Sequence, residues 1–428
     1  MVADTKYPPS VKAGKPILGE TPTNWTRGSL KNHLNLEQRK VKVEDNKEYD
    51  LVTVKRSRGG VVRREHLLGK QISVKSQFSL KEGDFLISKR QIVHGACGIV
   101  PAHLDGSIVS NEYSIFTAKD SFDLTYLRYL SETLYFQQTC FHSSIGVHIE
   151  KMIFKLDNWF KWDFNLPPLP EQRKIAKILS TWDKAISTTE KLIETSKQQK
   201  KALMQQLLTG KKRLLNSETG KVFEGEWEEV KLSEVAKVSI GLVTTMTKHY
   251  VESGVPLIRN SDIKQNEIRK EKMIYLSESF ASESEHRKLK LNDVVTVHTG
   301  EVGVSAVIEA DMAGSLGFAT LNSRPNVNKV LPTYLSWYFN SDRFINWCVS
   351  MSTGDGRQNL NLKDFVKAIV LLPELTEQQK IASVLTAADK EIEVLEAKLT
   401  HLKQEKKALM QQLLTGKRRV KVDEMEVA

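Results

Sequence analysis

The densest basic stretch outside a repeated segment is Lys55-Arg56-Ser57-Arg58-Gly59-Gly60-Val61-Val62-Arg63-Arg64. Arginine pairs separated by glycines suit phosphate clamping, because the guanidinium fork matches phosphate oxygens and glycine admits close backbone approach. The same forks can read guanine through O6 and N7, and a solvated loop also accounts for them. Arg56, Arg58, Arg63 and Arg64 are therefore candidate nucleic-acid contacts, followed by Lys89, Arg90 and His94 beyond a short apolar run. The C-terminal half offers Arg259 and Asn260 after another apolar run, and His298 and Thr299 at the place corresponding to Lys89 and Arg90. It also offers Arg357, Gln358 and Asn359 in the polar loop Ser352-Thr353-Gly354-Asp355-Gly356-Arg357-Gln358-Asn359. Side-chain amides pair with adenine edges, and they also satisfy turn backbone.

Chemistry of the chain's own is harder to find. No phosphate-binding Gly-x-x-x-x-Gly-Lys-Ser/Thr string occurs, and Thr209-Gly210-Lys211-Lys212 ends a helical pattern instead of opening one. The Asp/Asn-Pro-Pro-Tyr/Phe string of amino-methyltransferases is absent, the nearest being Leu166-Pro167-Pro168-Leu169. Dinucleotide glycines, zinc-ligand spacing and a serine elbow are missing too. Cys97, Cys140 and Cys348 are unclustered, which fits a reducing compartment. The expectation is a reader with no catalytic residue and no metal. With no apolar run of about 18 residues and no signal-like N-terminus, a cytoplasmic location without membrane contact is expected.

What must position these residues is a duplication. Residues 171–214 recur at 377–420 with a constant offset of 206, 25 of 44 positions identical and an unbroken match from Lys200 to Lys211. These repeats hold +7 and +3 of the chain's net charge of +11. Lys211, Lys212, Arg213 and Lys417, Arg418, Arg419 read either as cations at a helix C-terminus or as phosphate contacts. Ile381, Leu385, Ala388, Ile392, Leu395, Leu399, Leu402, Lys406, Leu409 and Leu413 alternate spacings of four and three, the a/d seam of a coiled coil. The first copy keeps the register with Ile175, Leu179, Trp182, Ile186, Thr189, Ile193, Ser196, Lys200, Leu203 and Leu207. Antiparallel packing keeps the seam lysines Lys200 and Lys406 apart, whereas parallel packing sets like charges side by side.

The segments between the repeats read as mixed α/β. Asp84–Ser88 and Asp293–Val297 predict strands after a Gly-Asp or Asn-Asp turn, each followed by a Gly-x-x-Gly string, at Gly95–Gly98 and Gly300–Gly303. Such paired strings predict a shared domain topology. The expected fold is α+β: two α/β domains separated by two long helices packed as a pseudo-twofold antiparallel coiled coil. The expected divisions are an N-terminal extension (1–21), a first domain (22–168), a long helix (169–214), a second domain (215–374), a second long helix (375–420) and a tail (421–428).

This pattern resembles the specificity subunits of Type I restriction–modification systems. The resemblance rests on Leu166-Pro167-Pro168-Leu169-Pro170-Glu171-Gln172-Arg173-Lys174-Ile175-Ala176 and Leu372-Pro373-Glu374-Leu375-Thr376-Glu377-Gln378-Gln379-Lys380-Ile381-Ala382. The paired Lys-Ala-Leu-Met-Gln-Gln-Leu-Leu-Thr-Gly-Lys endings and the Gly354-Asp355-Gly356-Arg357-Gln358-Asn359-Leu360 loop complete it. It implies two target-recognition domains, each reading half of a bipartite double-stranded DNA site, with helices that set the unread spacer. It further implies two methyltransferase subunits and endonuclease/translocase subunits as partners, which supply the S-adenosylmethionine, ATP and Mg2+ chemistry. The first half carries Ser143-Ser144-Ile145-Gly146-Val147-His148 where the second has its glycine-rich loop. A DNA-reading subunit of a combined methylating and cleaving enzyme, and a coiled-coil adaptor without DNA binding, are the competing readings.

Overall fold

The computed structural model describes residues 14–354 and 356–422; residues 1–13 of the expected extension, Asp355 of the glycine-rich loop and residues 423–428 of the tail lie outside the described residues. The described residues form two compact units, one up to residue 189 with those from 398 onward, the other between 190 and 397. Each unit thus combines one α/β domain with half of each long helix.

The long helices span Leu169–Leu207 and Leu375–Leu413, 39 residues each and offset by the 206 positions of the repeat. Both stop at a glycine in the left-handed region, Gly210 at φ +69° and Gly416 at φ +68°. The N–H groups of Lys212 and Arg418, just past these glycines, reach back to the carbonyls of Gln206 and Gln412 (3.2 and 3.1 Å) and satisfy acceptors that the helix end leaves free. At the other end the repeated glutamine is buried and fully used. Gln172 Nε2 donates to the Pro167 carbonyl (2.9 Å) while its Oε1 accepts from Asp123 N–H (2.9 Å). Gln378 does the same with Pro373 and Leu331, also at 2.9 Å.

Every seam position is buried or half-buried. Thr189, which looks weak for a seam, is 5% exposed. Its hydroxyl donates to the Ala185 carbonyl (2.9 Å), so burial leaves no polar group unsatisfied. The outer seam residues, with the leucines that follow Leu207 and Leu413, belong to domain cores. Ile175, Leu179, Leu413 and Leu414 join the aromatic core of the first domain around Phe136, Trp159 and Phe164. Leu207, Leu208, Ile381 and Leu385 join that of the second around Tyr334, Phe339 and Phe365.

The seam lysines confirm antiparallel pairing within each unit. In the first unit Lys406 meets Asp183 at 2.7 Å; in the second Lys200 meets Asp389 at 2.5 Å. The partners are the same two repeat positions exchanged between copies. Each ammonium also lies near an aromatic ring, Tyr129 at 5.5 Å and Trp337 at 5.7 Å.

The strands divide into a shared and a divergent set. Both domains enter their long helix from an antiparallel pair, Thr26–Ser29 with Asp163–Leu166 and Glu228–Lys231 with Ile369–Leu372. Both hold a four-stranded sheet of one order: Leu34–Glu37, Tyr113–Ala118, Phe85–Ser88, Cys97–Ile99 in the first, and Ala236–Ile240, Thr320–Pro325, Val294–Val297, Ser305–Val307 in the second. The expected strands at 84–88 and 293–297 are central members. Each follows a left-handed turn residue, Gly83 or Asn292, and a buried aspartate that takes a two-pronged arginine bond. Arg39 binds Asp84 at 2.6 and 2.9 Å, and Arg324 binds Asp293 at 2.8 and 2.7 Å. The larger of the remaining sheets differ: five strands in the first domain (Lys40–Lys42, Ser76–Ser79, Ile108–Ser110, Glu48–Val54, Val61–Leu68), four in the second (Tyr250–Val251, Ile274–Leu276, Val255–Arg259, Leu316–Phe318).

Burial pushes the Asp183 carboxyl up, but Lys406, Tyr129 and Arg128 outweigh it and hold the group below its ordinary value of 3.8. Its stabilisation is therefore present above that value and lost as pH falls through the depressed one. Asp183→Ala leaves Lys406 with only the more distant Glu132 at 4.0 Å and should cost about 1–3 kcal/mol in urea unfolding at pH 7, with the deficit shrinking below pH 4. Asp389→Ala should cost less, because Asp183 also accepts from Tyr129 (2.7 Å) and Arg128 (3.0 Å). Replacing Lys200 and Asp389 together with Met and Leu should recover most of the single-variant loss.

Candidate nucleic-acid interface

In the first domain the basic loop is a tight turn at the end of the hairpin formed by Glu48–Val54 and Val61–Leu68. Ser57 (φ 53°) and Arg58 (φ 60°) are consecutive left-handed residues without being glycine. That costs backbone energy and persists where surrounding bonds determine the conformation. Those bonds come from the connection after the central strand: Ser57 N–H donates to the His94 carbonyl (2.7 Å) and Arg58 N–H to that of Gly95 (3.1 Å). Gly95, itself at φ +77°, and Gly300 with Gly303 at φ +102° and +90°, serve the turns that join the paired strands.

Most of the candidate cations on this surface already have partners. Arg56 donates from Nε to Gln91 (2.8 Å) and from Nη2 to Glu150 (2.6 Å). Arg63 pairs with Asp50 (2.8 Å), Arg64 loosely with Glu65 (3.5 Å) and Arg90 with Glu112 (2.7 Å). Lys89 donates to the Asn111 carbonyl (2.6 Å), and burial lowers its pKa. His94 lies 3.1 Å from Glu150; burial first, and Arg56 second, lower its pKa, which favours the neutral ring. Arg58 turns inward, where its buried Nε has no hydrogen-bond partner among the described residues.

In the second domain the structure joins three segments that are far apart in sequence. Asn260 accepts from the His298 backbone N–H (2.9 Å) and donates to the Ala319 carbonyl (3.3 Å). His298 Nδ1 lies 2.8 Å from the Thr299 hydroxyl, which donates to Asn359 Oδ1 (3.1 Å), and burial lowers the His298 pKa. Gly300 N–H donates to the Gln358 carbonyl (3.0 Å). Asn260, Thr299 and Asn359 therefore shape the cluster, and Arg357 stands exposed on the loop they support. Arg259 is different: its guanidinium is engaged by Asp262 at 2.8 and 2.7 Å and by the Lys272 carbonyl at 2.9 Å, a structural tie.

The first domain does have a counterpart of the glycine-rich loop. Ser144–Ile145 pairs with Ile153–Phe154, and Phe154 N–H donates to the Lys89 carbonyl (2.9 Å) as Leu360 N–H donates to that of His298 (2.9 Å). The hairpin is anchored in the same way, but seven residues, Val147 and Glu150 among them, separate Ile145 from Ile153, where five, Gly356 and Arg357 among them, separate Thr353 from Asn359.

Two arginines that read as helix-end cations or phosphate contacts do neither. Arg213 forks onto Glu377 (both bonds 2.6 Å), and Arg419 onto Glu171 (both 2.8 Å). Each carboxylate also accepts an indole N–H, from Trp227 (3.2 Å) or Trp25 (3.1 Å). The neighbouring Lys211, Lys212, Lys417 and Arg418 remain exposed. The repeated glutamates were legible as repeats, but their partners were not, because those lie 164 and 248 positions away.

Comparison with known proteins matches this arrangement. The family model described as Type I restriction modification DNA specificity domain matches twice, over residues 25–198 and 224–404. The chain is 28% identical over 283 residues to the Type I restriction enzyme MjaVIII specificity subunit of Methanocaldococcus jannaschii, covering 64% of this chain and 65% of that one. It is 25% identical over 232 residues to the EcoBI specificity subunit of Escherichia coli, covering 50% and 49%. The chain thus spans between about half and two-thirds of the length of these curated relatives. Two solved structures share the fold over nearly their whole length. They are the HsdS subunit from Thermoanaerobacter tengcongensis (TM-score 0.53, 17% identity, 93% of this chain and 98% of that one) and the Type I S subunit from M. genitalium (TM-score 0.55, 13%, 92% and 99%). With both halves matched separately and the duplicated frame reproduced, the chain belongs to the Type I restriction modification DNA specificity family.

Proposed function

We propose that this chain is the non-catalytic DNA-reading subunit of a Type I restriction–modification assembly. Each domain reads one half of a bipartite, asymmetric site, and the repeated helices fix the unread spacer. Two methyltransferase subunits and endonuclease/translocase subunits join it and supply the S-adenosylmethionine, ATP and Mg2+ chemistry in the cytoplasm. The observation that carries this reading is a repeated frame bearing unlike readers. The helix starts, helix stops, seam ion pairs and central sheets recur at matching positions, while the outer sheets and hairpin tips do not. A coiled-coil adaptor would have no need of two such divergent surfaces. Type I assembly accounts for the family match better than a combined methylating and cleaving enzyme does.

The test is a domain exchange. Replacing residues 22–168 with the corresponding domain of a relative, and mapping methylated adenines across the host genome, should change one half-site and preserve the other. Simultaneous change of both halves would overturn modular reading. The purified chain alone should transfer no methyl groups and cut no DNA.

Within the second domain the two arginines should separate cleanly. Arg357→Ala should weaken duplex binding with an unchanged melting temperature, by about 1–3 kcal/mol at one base position for base readout or uniformly with a shallower salt slope for phosphate contact. Arg259→Ala should instead lower the melting temperature, since it leaves the largely buried Asp262 without its cation. Gel shifts and thermal unfolding of the two variants distinguish these outcomes.

A further inference from the structure

We propose that Glu150 is a built-in competitor for DNA phosphate, holding Arg56 neutralised beside His94 until a duplex displaces its carboxylate. The inference rests on the DNA-reading role above and deepens it for the first domain.

The geometry is that of an occupied oxyanion site. One carboxylate oxygen lies 2.6 Å from Arg56 Nη2; the other lies 3.5 Å from Nη1 and 3.1 Å from His94 Nε2. Two oxygens of a phosphate can adopt the same placement. The receiving groups are preset: Arg56 is anchored through Nε on Gln91, and its loop is tied to the His94 and Gly95 carbonyls. The occupant is loosely held. Both side chains of the pair are more than half exposed, 51% and 61%, so the bond is a solvent-screened one that a stronger anion can replace. Arg56 holds the Glu150 carboxyl below its ordinary range, so it is an anion at neutral pH.

The pair is not needed to build the hairpin that carries Glu150. That hairpin has its own ladder between 144–145 and 153–154, and its base is fixed by Phe154 on Lys89. The same offset that aligns Phe154 with Leu360 puts Gly356 opposite Glu150 in the sequence. Glu150 would thus weigh on how readily the first reader accepts phosphate. On a chain of charge +11 this matters: sequence-independent attraction to DNA is strong, and an internal anion subtracts from it until the duplex is seated.

The experiment measures binding of the full chain to a random-sequence duplex across a salt series, for wild type, Glu150→Gln, Arg56→Ala and the double variant. Glu150→Gln should tighten binding at low salt by about two- to fivefold, the range of an exposed ion pair, and steepen the salt slope by about one ion. In the Arg56→Ala background most of that gain should vanish, because the carboxylate acts by occupying Arg56. Glu150→Asp, too short to bridge both partners, should tighten binding in the same direction, which guards against a folding artefact in the Gln variant. Unchanged affinity in Glu150→Gln and Glu150→Asp, with wild type binding normally, overturns the competitor. A gain that persists undiminished without Arg56 reduces Glu150 to a general repulsive charge and overturns it too. Absence of duplex binding by every variant, with and without methyltransferase subunits, would instead remove the DNA-reading role itself.

Discussion

A glutamate is buried at the first turn of each long helix, and the molecule is organised around keeping it paired. Glu171 is 4% exposed and Glu377 fully buried. An unpaired carboxylate at such a place is untenable. Each takes a two-pronged arginine from just beyond the end of the other helix, together with an indole N–H from the start of the adjoining domain. Because the arginine always comes from the opposite repeat, neither unit is complete without it. The cores say the same: Leu413 and Leu414 close the first, Leu207 and Leu208 the second. The duplication is thus an exchange of parts, which explains why the compact units divide within the helices.

Further along the seam, charge specifies register. A lysine at an a/d position is unfavourable in isolation, and an all-leucine seam would bury more apolar surface. Lys200 and Lys406 instead meet Asp389 and Asp183, contacts available at one alignment of the helices and lost when it slips by a turn. The partly buried ammonium groups are further accommodated by aromatic faces.

The candidate interface shows the complementary strategy. The four-stranded sheets, which carry the buried Asp84 and Asp293 with their arginines Arg39 and Arg324, are common to both domains and provide the base. The outer sheets and hairpin tips diverge, the first presenting Arg56 beside Glu150, the second Arg357 above a web of Asn260, Thr299 and Asn359. Polar side chains placed by backbone bonds are rigid before any ligand arrives, which lowers the ordering cost of binding. Arginines near each other in sequence thereby acquire different tasks: Arg56 faces outward, Arg58 inward.

The sequence by itself determined whatever depends on local spacing. Heptad periodicity located both helices and their seam, and Gly210 and Gly416 marked their ends, because helix formation and termination are set by residues within a turn or two. The like charge of Lys200 and Lys406 sufficed to select antiparallel pairing. Strands at 84–88 and 293–297 were legible from a turn residue followed by apolar side chains. Only the tertiary structure decided what individual charges do. Arg213, Arg419 and Arg259 carry the same guanidinium as a phosphate contact. Local sequence does not show that Glu377 and Glu171 lie across the fold, nor that Asp262, three positions on, folds back onto Arg259. Likewise Asn260, Thr299 and Asn359 become one cluster through hydrogen bonds spanning dozens of residues. Periodicity is a property of neighbours in the chain, whereas the partner of a charge is a property of neighbours in space.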